Sequence, residues 1–165
     1  MKAQDWIKRL ELQAHPEGGY YKETYRCNES LTPVNLPQRF EQSHCFSTAI
    51  YYLLEAPQFS AFHRIKQDEV WHFYHGSTLT IHVININGKY LKLKLGNNPK
   101  QGCSFQHVIQ AGDWFAASVD DPTGFSLVGC TVAPGFEFTD FELAKRNQLI
   151  ELFPKHHQII KQLTR

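Results

Sequence analysis

Phe62-His63-Arg64-Ile65-Lys66-Gln67-Asp68-Glu69-Val70-Trp71-His72-Phe73-Tyr74-His75-Gly76 is the stretch whose reading decides the fold. Apolar and aromatic side chains alternate with polar ones on both sides of Lys66-Gln67-Asp68, and Gly76 closes the run. A period of two makes residues 59–65 and 69–75 strands joined by a polar turn. Alternate residues of a strand share a face. His63 and Ile65 therefore point one way, Glu69, Trp71 and Phe73 share a face, and His72 and Tyr74 take the opposite parity. In a barrel one of the two faces looks into the lumen. With the first sets inward, His63 and Glu69 meet in an aromatic, largely apolar cavity. His75 has inward parity too, but it lies at the turn.

The flanking sequence has the same character. Tyr20–Arg26, Ser47–Leu54, Thr78–Asn85, Tyr90–Leu95, Phe105–Gln110, Asp113–Val119 and Phe125–Val132 read as further short strands. Asn87-Gly88 is a hairpin turn, and Ala111-Gly112 and Asp120-Asp121-Pro122-Thr123-Gly124 are turns between the last strands. Residues 3–12 read as a helix capped by Asp5, Phe141–Phe153 as a second helix ended by Pro154, and the segment carrying Ile159, Ile160 and Leu163 as a third. Residues 27–42 are polar and hold Pro33 and Pro37, which predicts a mobile loop, either a lid or a surface excursion. Regular short strands with turn signals mean a sandwich or barrel. The expected fold is mainly β, a sandwich or barrel with short N- and C-terminal helices, in one domain over residues 1–165.

Composition narrows the function classes. Apolar residues are 42% of the chain and aromatics 13%, which argues against disorder and suits an aromatic-lined interior. The net charge is +1 with no Lys/Arg block, so no nucleic-acid groove is expected. No apolar run reaches the length of a membrane span and the N-terminus has no signal core, which predicts a cytoplasmic protein with no membrane partner. Cys27, Cys45, Cys103 and Cys130 lie far apart without a Cys-x-x-Cys pair, so they read as reduced thiols rather than a zinc or redox site.

The central stretch resembles the first motif of the cupins, small double-stranded β-helix barrels, in which His-x-His is followed by Glu and then Gly. His63, Glu69 and Gly76 fall in that register, and Ile65 replaces the second histidine. In Gln110-Ala111-Gly112-Asp113-Trp114-Phe115, Phe115 stands where the second cupin motif has its histidine. The chain more specifically resembles the Cupin-5-type family of unknown function. The matching pieces are His15-Pro16-Glu17-Gly18-Gly19-Tyr20-Tyr21, Ser47-Thr48-Ala49-Ile50-Tyr51, His63-Arg64, Asp68-Glu69-Val70-Trp71-His72, Gly112-Asp113-Trp114-Phe115 and Cys130-Thr131-Val132-Ala133-Pro134-Gly135-Phe136. The resemblance implies a cupin barrel of jelly-roll form, a pocket in its mouth, and homodimers paired through the sheet. It also implies likeness in fold to the metal-free epimerases of dTDP-4-keto sugars.

Three functional readings stand side by side. In the first, a metal-independent isomerase or epimerase acts on a carbohydrate-like substrate without a cofactor. His63 takes a proton from a carbon next to a carbonyl, Glu69 orients the imidazole or shares the proton, and Tyr21 or Tyr51 donates on the opposite face. The second is a metal-dependent cupin of the oxygenase or isomerase type. Such cupins use three histidines and a glutamate, of which only His63 and Glu69 have counterparts here. The third is a binding module that holds a small ligand, a sugar or sugar nucleotide, by stacking on Trp71, Phe73, Trp114, Phe115 and tyrosines.

Plain structural readings accompany these. His63 also suits a hydrogen-bonded interior histidine. Trp71, Phe73 and Phe115 suit core positions, Asp68 a turn, Arg64 a structural or interface role, and His156-His157 a solvated face. Glu17, Glu23 and Arg26 lie beside a strand that in cupins closes the barrel mouth or crosses to a partner. Gly18-Gly19 is backbone geometry, without the strand–helix context of a phosphate cradle.

Overall fold

The computed structural model of the protein describes residues 1–165. The chain runs α1 (Ala3–Leu10), β1 (Gln13–Ala14), β2 (Tyr20–Arg26), β3 (Ser30–Leu31), β4 (His44–Cys45), β5 (Thr48–Glu55) and β6 (Phe59–Arg64). It continues β7 (Asp68–Gly76), β8 (Leu79–Ile84), β9 (Tyr90–Leu95), β10 (Gln106–Ile109), β11 (Trp114–Val119) and β12 (Phe125–Ala133). It ends with β13 (Glu142–Leu143), α2 (Arg146–Leu152) and α3 (His157–Gln162). Two sheets face each other. One has the order β1-β2-β5-β12-β7-β10 and the other β13-β6-β11-β8-β9, while β3 and β4 form a small separate pair. All named pairings are antiparallel, so the architecture is the jelly roll of a cupin barrel.

The main core lies between the sheets. Tyr52, Leu54, Trp71, Leu79, Ile81, Val83, Phe115, Val128 and Cys130 belong to it, one inward residue in two along each strand. The outer faces are covered in part. Ala3 of α1 and Leu12 pack on Leu53 and Leu127 of the first sheet. Leu149 of α2 and Ile160 of α3 pack on Phe62, Ile84, Trp114 and Ala116 of the second. Each fully buried apolar side chain of this kind contributes about 1.5–3 kcal/mol.

Three local expectations are revised. Asp5 does not precede α1 but lies inside its first turn, where its carboxylate accepts the Lys2 amide at 2.8 Å. The helix predicted from Phe141 begins only at Arg146, because Glu142 and Leu143 pair with Arg64 and His63 and continue the second sheet. An open edge of β6 captures those residues, and the Arg64–Glu142 ion pair at 2.7 Å holds them there. The 27–42 segment is tied down rather than loose. Phe40 is buried, Arg39 Nε donates to the Lys66 carbonyl at 2.7 Å, and Gln42 Nε2 donates to Thr139 Oγ1 at 2.8 Å.

Candidate active site at the open end of the barrel

A cavity of about 270 Å³ opens where β2, β6 and β12 finish and β5 and β7 begin. Its wall includes His63, Ile65, Glu69 and Trp71 from the central stretch, Tyr21, Glu23 and Arg26 from β2, and Tyr52 and Cys130 from β5 and β12. His15 and Glu17 enter from the β1–β2 connection, and Phe136, Glu137, Phe138 and Phe141 from the segment after β12.

Glu17 is the hub. Its Oε2 lies 3.1 Å from His63 Nε2, and its Oε1 accepts from Ser60 Oγ at 2.8 Å. Two departures from regular chain geometry make this possible. Gly18 has φ +116°, and a Cβ there would collide with the Phe59 carbonyl, so only glycine lets the loop lie against β6. On β6, the pairing with β11 runs Phe115↔His63 and then Ala117↔Ser60, so β6 carries one extra residue. That β-bulge turns Ser60 and His63 to the same side although they are three apart.

The protonation of the dyad follows from its partners. His63 Nδ1 is 2.7 Å from the Ala61 carbonyl, which only accepts, so Nδ1 carries a hydrogen. Glu17 Oε2 is the polar atom that faces Nε2. Burial pushes His63 down to about 4 and Glu17 up, so it favours the uncharged form of both partners. Phe115 packs on the His63 ring with centroids 4.1 Å apart and fixes its plane. His15 completes the cluster. Its Nδ1 accepts the Glu17 backbone N–H at 3.3 Å, and burial lowers its basicity. The 3.4 Å approach of the same nitrogen to Glu17 Oε2 is therefore no ion pair.

Glu69 faces the cavity without a cationic partner. Burial first, and then Glu17, raise its carboxyl to about 8, against the Cys130 thiol and the Trp71 indole, which lower it. The indole N–H is buried and reaches no acceptor within hydrogen-bonding distance. At the rim, Arg26 is fully engaged. Its Nε and Nη2 donate to Glu23 at 3.0 and 2.9 Å, and its Nη1 to Glu137 at 2.6 Å.

Of the residues singled out by sequence, His63, Glu69, Tyr21 and Trp71 line the cavity. Tyr51, Phe73 and Phe115 do not. Tyr51 has outward parity on β5 and packs edge-on to Tyr74 at 5.8 Å; its neighbour Tyr52 points inward and donates to the Gly18 carbonyl at 2.7 Å. Phe73 packs against the core, and Phe115 is fully buried behind the His63 ring. The imidazole is oriented by Glu17 and Ala61, not by Glu69.

The donor set does not fit the metal centre of other cupins. Both His63 nitrogens are spent, and Ile65 and Phe115 occupy the other histidine positions of the motifs. No group of three or more His, Cys, Asp or Glu side chains is placed to hold an ion.

Fold and cavity together define a cupin-type barrel with a cavity at its open end. The chain belongs to the Cupin_5 family of the cupin superfamily (DUF985), whose model matches residues 4–144. It is similar to a protein of Shewanella oneidensis solved by X-ray crystallography, at 36% identity and TM-score 0.90, over 100% of this chain and 98% of that one. It is likewise similar to a hypothetical protein from Leishmania major, at 34% identity and TM-score 0.92, over 99% of each chain. Oxalate decarboxylase from Bacillus subtilis shares the fold alone, at 12% identity and TM-score 0.55, over 91% of this chain and 36% of that one. No curated protein matches the sequence. No helix is long and apolar enough to cross a membrane.

Proposed function

We propose that the protein is a metal-independent isomerase or epimerase of a small carbohydrate-like substrate, with Glu17 and His63 as its proton-transfer pair. The observation that carries this is the 3.1 Å approach of Glu17 Oε2 to His63 Nε2 inside a cavity that reaches solvent. Passing a proton from the Glu17 carboxyl to Nε2 gives a carboxylate base and an imidazolium beside it, with no charge imported from outside. The carboxylate then removes a proton from a carbon next to a carbonyl and returns it to that carbon or its neighbour. Of the two tyrosines considered as donor on the opposite face, Tyr21 lines the cavity and takes that role. His63 itself stores the proton, and Ala61 and Phe115 hold the ring still while it does so.

The cavity volume of about 270 Å³ lies just below the range of about 300–1,000 Å³ typical of ligand pockets. It suits a single sugar-sized molecule. Four unpaired cysteines accord with a reducing, cytoplasmic setting. Exposed Tyr25, Tyr74 and Val108 on the outer face of the first sheet support a homodimer joined through that face.

The test is solvent exchange. A panel of aldoses, ketoses and amino sugars is incubated with the protein in D2O and read by proton NMR. Deuterium entering beside a carbonyl, lost in Glu17→Gln and His63→Asn while the ligand still binds, supports the reading. Ligands that bind without any exchange would leave a non-catalytic binding module instead.

A further inference from the structure

We infer that the ligand of this cavity is a cation, a polyol-sized molecule bearing an ammonium group that pairs with Glu69 among the rings of Tyr21, Phe136 and Phe141. The inference deepens the function proposed above and rests on the same cavity.

The charge of the wall is the first observation. Four carboxyl groups, Glu17, Glu23, Glu69 and Glu137, line the cavity against one guanidinium, Arg26. Arg26 has no capacity left for a ligand anion. Both edges of its fork lie on Glu23 and Glu137, and Nη2 also donates to the Phe136 carbonyl at 3.1 Å. The two histidines are held neutral by burial. A phosphate or a sugar nucleotide would thus find no free cation in the wall to meet its charge.

Glu69 is the second and independent observation. Only 8% of the residue is exposed, it faces the cavity, and nothing in the chain offers it a positive charge. Burial holds the carboxyl protonated at neutral pH beside Cys130 and Trp71, so a cation that binds there must draw the proton off. Glu17 occupies the position beside His63 that would otherwise have given Glu69 a structural role. What remains for Glu69 is a partner that arrives with the ligand.

The rings supply the third. Tyr21, Tyr52, Trp71, Phe136, Phe138 and Phe141 all line the wall. Phe136 and Phe138 pack edge-to-face at 5.1 Å, and Phe138 and Phe141 at 6.2 Å, as a continuous aromatic side. Aromatic faces attract an ammonium group, and the attraction grows when the site is dry. A carboxyl that ionises against an arriving ammonium on one side and aromatic rings on the other form a cation site.

The test is a charge series on the whole, tag-free chain. Isothermal titration is run with D-glucosamine, D-glucose, N-acetyl-D-glucosamine, glucose 6-phosphate and tetramethylammonium, on the native protein and on Glu69→Gln. Glucosamine is expected to bind at least about tenfold more tightly than glucose or its acetylated form, the ratio that one modest ion pair supplies. Glucose 6-phosphate is expected to bind most weakly, and Glu69→Gln to erase the difference between glucosamine and glucose. A Glu69→Gln melting temperature at or above that of the native protein shows that the lost preference is not lost folding. Equal or tighter binding of the neutral or phosphorylated sugar overturns the inference. So does a preference that survives in Glu69→Gln, or no binding of either cation in the millimolar range. Amine preference without deuterium exchange would keep this inference and remove the isomerase reading; exchange on a neutral sugar without amine preference would do the reverse.

Discussion

Glu17 Oε2 and His63 Nε2 stand 3.1 Å apart, although one residue lies on a glycine-bounded loop and the other on a bulged strand. The geometry separates charge from shape. Glu17→Gln keeps the Ser60 contact, since its carbonyl oxygen still accepts, and its amide still donates to a neutral His63. Its folding stability, read by urea titration, should stay within about 1 kcal/mol of native. The deuterium-exchange rate should fall by about 10²–10⁴-fold, the usual worth of a positioned acid–base group.

Tyr51 and Tyr52 are adjacent but opposite in consequence. The Tyr52 hydroxyl donates to the Gly18 carbonyl, deep behind the cavity, and thereby fixes the loop that carries Glu17. Tyr52→Phe leaves that carbonyl unpartnered and should cost about 1–3 kcal/mol, with a parallel loss of ligand affinity. Tyr51→Phe alters only the outer face, so its binding isotherm should match the native one.

Glu69 makes stability depend on pH. Its carboxyl sits at about 8 in the folded chain against an ordinary value of 4.5. The folded state therefore holds a proton that the unfolded state has lost between those two values, and stability falls as pH rises through that window. Glu69→Gln removes the penalty. The variant should match the native protein below pH about 4, gain on it steadily to pH about 8, and stay ahead by a few kcal/mol beyond. Paired thermal melts across the range check the sign, and a constant difference would contradict it.

The strand pattern and one part of the cavity were legible for one physical reason, the period of two. Parity in the central stretch puts His63, Ile65, Glu69 and Trp71 on one wall, where they lie. Parity also held the answer at Tyr51 and Tyr52, but choosing between adjacent tyrosines needs the strand's absolute facing, which a local pattern does not contain. Glu17 had no period to reveal it. Its place depends on Gly18 at positive φ and on an extra residue in β6, and a bulge leaves no mark in a hydrophobic pattern. Phe141 was absorbed into a predicted helix because its neighbours have helical spacing, yet pairing with β6 outweighs that weak preference.

Asp140 anchors the aromatic side of the cavity from behind. His44 Nε2 lies 2.6 Å and Gln67 Nε2 2.7 Å from its Oδ2, and Lys66 Nζ is 3.6 Å from Oδ1. Both His44 and Asp140 are buried, so removing one leaves the other without compensation. Asp140→Ala should cost about 3–5 kcal/mol in chemical denaturation. The segment bearing Phe136, Phe138 and Phe141 should also lose amide-exchange protection before the barrel strands do.

The outer face of the first sheet makes the last prediction. α1 covers only its Leu53–Leu127 end. Beyond that, Tyr25 beside Ala49, Tyr51 against Tyr74, Tyr74 lying over Gly129, and Val108 beside Val70 form an apolar surface across five strands. Tyr25, Tyr74 and Val108 are about half exposed. Monomers seldom leave such a surface bare, and a second copy of the same face is self-complementary about a two-fold axis. Light scattering after size exclusion should give twice the chain mass for the native protein. Val108→Asp places a charge within the joined faces, on the edge strand β10, and should give a monomer with an unchanged far-ultraviolet dichroism spectrum. The cavity opens at the barrel end and not through this face, so the monomer should keep its ligand affinity. Loss of binding along with the dimer would mean that the partner subunit completes the site.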